Sequence, residues 1–134
     1  MKKKYWLNLT NMSSIQNLKS SNFTIKQNGL YIKGVKYPGI LLIWANWCPH
    51  CHEFIPKLKQ LCKQLGKEFI CTAVEHAEFK DDDSLSSALD FKYFPSIKFF
   101  DQSGKIIGDY TGKRDISPIL DYICKMYHHC IFYH

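Results

Sequence analysis

The chain is predicted to fold as an α/β domain, and three observations carry that prediction. The apolar run Ile40-Leu41-Leu42-Ile43-Trp44-Ala45-Asn46 reads as a strand covered on both faces. Behind it Phe54, Ile55, Leu58, Leu61, Cys62 and Leu65 recur at helical spacing, so strand passes directly into helix. A second alternation follows, with a strand over 68–75, a helix over 81–91 and an apolar strand entered through Pro95. Such alternation suits a sheet layered between helices. With 134 residues and 46% hydrophobic content, the natural division is one core.

Taken in order, residues 1–22 form a polar extension, Ser- and Asn-rich after Lys2-Lys3-Lys4, with at most a short helix around Ile15 to Leu18. The folded domain is set at 23–134. Phe23-Thr24-Ile25-Lys26 and Leu30-Tyr31-Ile32-Lys33 alternate around Asn28-Gly29, a hairpin signal. The helix after the buried strand runs from near Pro49 to Leu65. Asp81-Asp82-Asp83-Ser84 places acidic residues where a helix start favours them. Gly104, within Asp101-Gln102-Ser103-Gly104, marks a turn between two strands. Asp115 caps a final helix with Pro118 in its first turn, and Ile119, Leu120, Ile123 and Met126 are expected to pack inward.

The chemistry is concentrated at Trp47-Cys48-Pro49-His50-Cys51, where the buried strand ends and the helix begins. Two thiols two residues apart can close and reopen a small disulfide with little backbone movement. The unpaired N–H groups and macrodipole of the helix start favour an anion at the first thiol. The same spacing serves zinc, but zinc needs a second ligand pair. His76, His128, His129, Cys130 and His134 offer no second C-x-x-C, and no H-x₃₋₅-H lies beside a cysteine pair at finger-like distance from Cys51. The motif reads as redox rather than metal.

Tyr93-Phe94-Pro95-Ser96-Ile97-Lys98-Phe99-Phe100 puts a proline at a strand entry, the position a sheet tolerates. Together with WCPHC it resembles the thioredoxin superfamily, and FPSIKFF looks most like the protein disulfide isomerase branch. Pro56 and Gly108-Asp109-Tyr110-Thr111-Gly112 fit the same likeness, which runs from about Gly39 to Lys125. The resemblance implies a central mixed sheet flanked by helices, a thioredoxin fold. It implies a redox-active Cys48–Cys51 disulfide as the sole reactive group, with no separate cofactor and no metal. Cys48 is then the attacking thiol and Cys51 the resolving one. Pro95 is expected to be cis, the backbone beside Phe94 to pair with an extended substrate segment, and Trp47 to cover the disulfide and line the docking surface.

Departures from the family pattern matter too. Where the family buries an acid six residues before the first cysteine, this chain has Leu42, and Ala73 stands where disulfide isomerases often carry the facing lysine. An apolar pair in place of an ion pair is physically sensible, since removing one charge alone is costly. The family acid helps deprotonate the second cysteine, so here His50 or water is expected to relay that proton. Pro49-His50 resembles the dipeptide of strongly oxidising bacterial enzymes, and both residues are expected to tune the couple to between about −120 and −200 mV. His52 is expected to face solvent without a catalytic role.

Of the other cysteines, Cys62 and Cys71 read as small core residues, Cys124 lies on the last helix, and Cys130 reads as an exposed thiol. Lys2-Lys3-Lys4 is not followed by an apolar stretch, so a cytoplasmic location is expected. Such a couple stays reduced against glutathione unless a sulfhydryl oxidase recharges it. The composition, with Arg114 the only arginine, fits an AT-rich genome. Large cytoplasmic DNA viruses carry thioredoxin-like proteins beside sulfhydryl oxidases, so a virion location is a further expectation. The net charge of +6 comes from scattered lysines and reads as a solvated basic surface favouring acidic protein substrates, not nucleic acid. The expected partners are protein thiols and disulfides plus a recycling oxidase or reductase, with a monomeric chain and no membrane span. The alternative is a redox-inert binding module using the same groove.

Overall fold

The computed structural model describes residues 15–130; Lys2-Lys3-Lys4, the rest of the extension through residue 14, and residues 131–134 lie outside it. Seven strands and three α-helices follow one another along the described residues. They are β1 (Gln16–Leu18), β2 (Phe23–Lys26), β3 (Gly29–Ile32), β4 (Gly39–Trp44), helix α1 (Pro49–Leu65), β5 (Ile70–Glu75), helix α2 (Asp83–Leu89), β6 (Ser96–Phe100), β7 (Ile106–Tyr110) and helix α3 (Ile116–Tyr127). Five strands make one sheet in the order β1-β5-β4-β6-β7, while β2 and β3 form the hairpin. β4 is parallel to β5 and antiparallel to β6, which makes the sheet mixed.

The central strand explains itself. Ile40 and Leu42 point into the layer with Phe54, Leu58, Leu61 and Ile119, under α1 and α3. Leu41 and Ile43 point into the opposite layer with Phe23, Leu30, Leu85 and Leu89. Both faces are covered, so the strand shows no polar alternation. At its start Gly39 is obligatory, because a Cβ there would collide with the Ile70 carbonyl and the Phe100 ring. The hairpin turns through Gln27-Asn28 into Gly29, the first residue of β3, and covers, with α2, a sheet face that would otherwise be wet. A further hairpin, β6 to β7, turns at Gly104, whose φ of +87° suits glycine.

Several expectations are corrected. Ile15 to Leu18 contains a strand, not a helix: Gln16–Leu18 pairs in parallel with Thr72 to Val74, so the sheet begins inside the segment read as an extension. Gln16 and Asn17 are exposed, so three residues of edge strand held by backbone pairing leave no apolar pattern to read. Cys62 and Cys71 are not free core thiols. They form a disulfide joining α1 to β5, because two inward positions meet across the helix–sheet layer with Cα atoms 6.2 Å apart. Cys130 is not a free thiol either: after α3 the chain turns back through the left-handed His128, and Cys130 bonds Cys124. Met126 is 41% exposed: it shares the helix face of Ile119 and Ile123 but stands in the last turn of α3.

Candidate active site

Cys48 is the N-cap of α1, and Pro49 begins the helix, where its missing N–H costs nothing. The cap is made by sulfur: the Cys51 N–H donates to Cys48 Sγ at 3.2 Å. The sulfur thus partners one of the N–H groups that a helix start leaves unpaired. Both thiols are free and buried, in a small cluster with Ala45 against which Trp44 and Phe94 pack. Those two rings therefore cover the pair. Trp47 stands out beside it, 67% exposed, edge-on to Phe94 at 5.5 Å and to His76 at 6.2 Å.

Burial pushes the Cys51 thiol up to about 12, and hydrogen bonding with Cys48 adds to the rise. The positive charge of Arg114, on the loop after β7, acts in the opposite direction. Leu42 and Ala73 are direct partners across β4 and β5, both fully inside the layer beneath α1. Two apolar side chains thus occupy the interior where an acid and its partner would stand, and no interior base serves Cys51 there. His50 turns outward: its side chain is 70% exposed and its Nδ1 lies 3.6 Å from Glu53 Oε1.

Pro95 precedes β6, and the Phe94–Pro95 peptide is cis. Phe94 packs between Trp47, His76 and Phe91, so the proline loop and the cysteine loop share one aromatic wall. Pairing of β4 with β6 at Ile43 and Ser96 brings the two loops to the same sheet end.

Sequence reading missed three residues here. Glu75, at the end of β5, accepts from the Asn46 N–H at 3.1 Å with one carboxylate oxygen and from the Ala77 N–H at 3.2 Å with the other. His52 is exposed, as expected, and it also has a structural contact: its Nε2 donates to the Asn46 carbonyl at 2.6 Å, and its ring meets Trp44 edge-on. The Asn46 backbone is thus held at both its N–H and its carbonyl, two residues before Cys48. His76 completes the aromatic wall. A glutamate ending a strand carries no sequence signal of this kind, because its role comes from register. Among the described residues no group of three or more His, Cys, Asp or Glu is arranged to hold a metal ion.

A mixed sheet whose central strand delivers two thiols to a helix start, facing a cis-proline loop, defines a thioredoxin-fold dithiol domain. The family model described as Thioredoxin matches residues 18–125, and the chain belongs to the thioredoxin family. It is 32% identical over 93 residues to a protein disulfide-isomerase of Zea mays, covering 67% of this chain and 18% of that protein. It is also 32% identical over 85 residues to a thioredoxin domain-containing protein 5 homolog of Drosophila melanogaster, covering 62% of this chain and 20% of that one. The chain thus spans about a fifth of the length of these curated relatives. Among solved structures, the Trx4 domain of ERdj5 superposes with a TM-score of 0.65 at 19% identity, covering 84% of this chain and 94% of that one. Thioredoxin f from spinach chloroplast gives 0.62 at 18% identity, covering 84% and 92%.

Proposed function

We propose that this protein is a thiol–disulfide oxidoreductase acting on protein substrates. The observation that carries the reading is the sulfur cap, a nucleophile-type Cys48 with a second thiol one helical turn away. As a reductant, the Cys48 thiolate attacks one sulfur of a substrate disulfide and expels the other as a thiolate, which takes up a proton. Cys51 then loses its proton, attacks Cys48 Sγ and releases the second substrate sulfur. Two electrons pass to the substrate, and Cys48–Cys51 becomes a disulfide. Oxidation of a substrate dithiol is the reverse sequence and requires a sulfhydryl oxidase to re-form that disulfide.

Trp47, Phe94 and the cis Pro95 loop would hold the substrate segment, whose backbone would pair beside Phe94. Pro49 and His50 would set the poise above that of thioredoxin, between about −120 and −200 mV, and Glu53 beside His50 moderates the effect. The oxidising direction is favoured by the two disulfides outside the site, which need an oxidant supply of their own. In a cytoplasmic or virion setting that supply would come from a sulfhydryl oxidase. No helix among the described residues is long and apolar enough to cross a membrane.

The Leu42–Ala73 pair favours one other reading, a binding module in which resolution is too slow for turnover. Insulin-reduction turnover and the equilibrium potential against glutathione decide between them, with Cys48→Ser as the control. A couple above about −200 mV with turnover supports an oxidase or isomerase. A couple near −270 mV indicates a thioredoxin-like reductant. No measurable couple leaves the binding module.

A further inference from the structure

A cleft of about 460 Å³ opens beside the dithiol, with Tyr93, Pro95 and Phe54 in its walls. Its charged lining is His50, Glu53, Lys57, Lys113 and Arg114. The first three are partly committed: His50 faces Glu53, and Lys57 lies 3.8 Å from Asp115. Among the described residues no carboxylate lies within ion-pair distance of Lys113 or Arg114. The loop bearing them is fixed, because the Tyr110 hydroxyl donates to the Lys113 carbonyl. The opposite flank of the dithiol carries a net negative charge, with Glu75 and Glu78 against the single cation Lys19 in a separate hollow alongside Trp44 and Asn46. The field across the site therefore has a direction, positive on the Pro95 side and negative on the β5 side.

We propose that this cleft receives an acidic side chain of the substrate, so that preferred substrates are protein segments with Asp or Glu close to the reactive cysteine. The inference rests on the oxidoreductase reading and names its substrate class. A segment lying extended along the Pro95 loop advances about 3.3 Å per residue, so the acid falls within about three residues of the cysteine. Unpaired cations beside a docking strand raise the encounter rate of a complementary segment and reject a like-charged one. Because Lys113 and Arg114 are exposed, the preference is modest and screened by salt.

The test uses two fluorescent disulfide peptides, identical except for Glu or Lys at the positions flanking the cysteine. At low ionic strength the Glu peptide is expected to show a kcat/KM about fivefold higher, a ratio that collapses toward one in 0.5 M salt (about 3–5 Å of screening length). Lys113→Glu is expected to abolish or invert the ratio. Lys67→Glu, an equal charge change on an exposed turn beyond the far end of α1, is expected to keep it. Equal kcat/KM for both peptides overturns the proposal. So does a ratio that Lys67→Glu shifts as much as Lys113→Glu, since net charge alone would then explain it. If neither peptide turns over, the oxidoreductase reading fails instead, and the cleft is tested by binding. Fluorescence anisotropy with the peptide cysteine replaced by serine then supports the cleft if the Glu peptide binds more tightly, and equal affinities reject it.

Discussion

The Cys62–Cys71 disulfide ties the helix that carries the reactive thiols to the strand beside the sheet centre, and its removal has a calculable cost. The bond closes a loop with a sequence separation of 9. In the chain-entropy account this constrains the unfolded state by about 2.6 kcal/mol at 25 °C. Both residues are buried, at 7% and 4% exposure, so Cys62→Ala with Cys71→Ala also forfeits the packing of two sulfurs, roughly 1 kcal/mol. The total is about 3.5 kcal/mol. For a folded unit of about 120 residues the unfolding entropy near Tm is about 0.25 kcal/mol/K, so the melting temperature should fall by ~14 °C. The assay is thermal unfolding by circular dichroism, paired with thiol counts in native and denatured protein under mild reduction. Two reactive thiols in the denatured sample are expected, those of Cys48 and Cys51. The potential of the Cys48–Cys51 couple should be unchanged, since Cys62 lies about 21 Å along the helix from Cys48. A loss under about 1 kcal/mol, or labelling of Cys62 and Cys71 themselves when the mildly reduced protein is denatured and its labelled peptides are mapped, would refute the assignment of this bond as a structural clasp.

Four further outcomes follow from the site. With Cys51 raised from its ordinary value of 9.0 to about 12, its thiolate fraction at neutral pH is small and grows tenfold per pH unit. Release of a Cys48 mixed disulfide should therefore accelerate nearly tenfold per unit from pH 7 to 9 in stopped-flow measurements, and a plateau near pH 8 would contradict it. In the reduced protein the same raised value favours the folded state below about pH 9, a contribution lost as pH rises toward 12, which pH-dependent urea unfolding can detect. Glu75→Ala frees the Asn46 and Ala77 amides, so their hydrogen exchange should quicken and single-turnover attack by Cys48 should slow about tenfold, whereas Glu75→Asp should recover part of that rate. Leu42→Glu places a lone acid in the layer beneath α1 and should cost about 3 kcal/mol by urea denaturation, and adding Ala73→Lys opposite it should return a measurable part of that loss.

How far the sequence alone reaches is visible in particular residues. Cys48 as N-cap, Pro49 behind it, the hairpin at Gly29 and Asp115 capping α3 were all legible, because each depends on chemistry within a few residues. The α1 face was legible in full, from Phe54 to Leu65, because its helical spacing is long and unbroken. Strand β1 was not, since two of its three residues are exposed and its partner lies over fifty residues away. The disulfides were hidden for the same reason: a separation of nine or six residues says nothing until helix and strand are laid together. Glu75, His76 and His52 gain their parts in the site only from register and from the path of the chain past Asn46. Local chemistry is written locally, whereas the supports of a site come from wherever the topology brings them.

Under tension the Cys62–Cys71 bond separates the part of this chain that can lengthen from a part that cannot. When the domain is pulled from its ends and opened, the residues between the two cysteines stay folded back on themselves and withhold about 30 Å of extension. The Cys124–Cys130 bond withholds roughly 20 Å more. The stretched length of a single molecule is therefore a gauge of its oxidation state, one that reads bonds remote from the reactive pair and is blind to which substrate is docked.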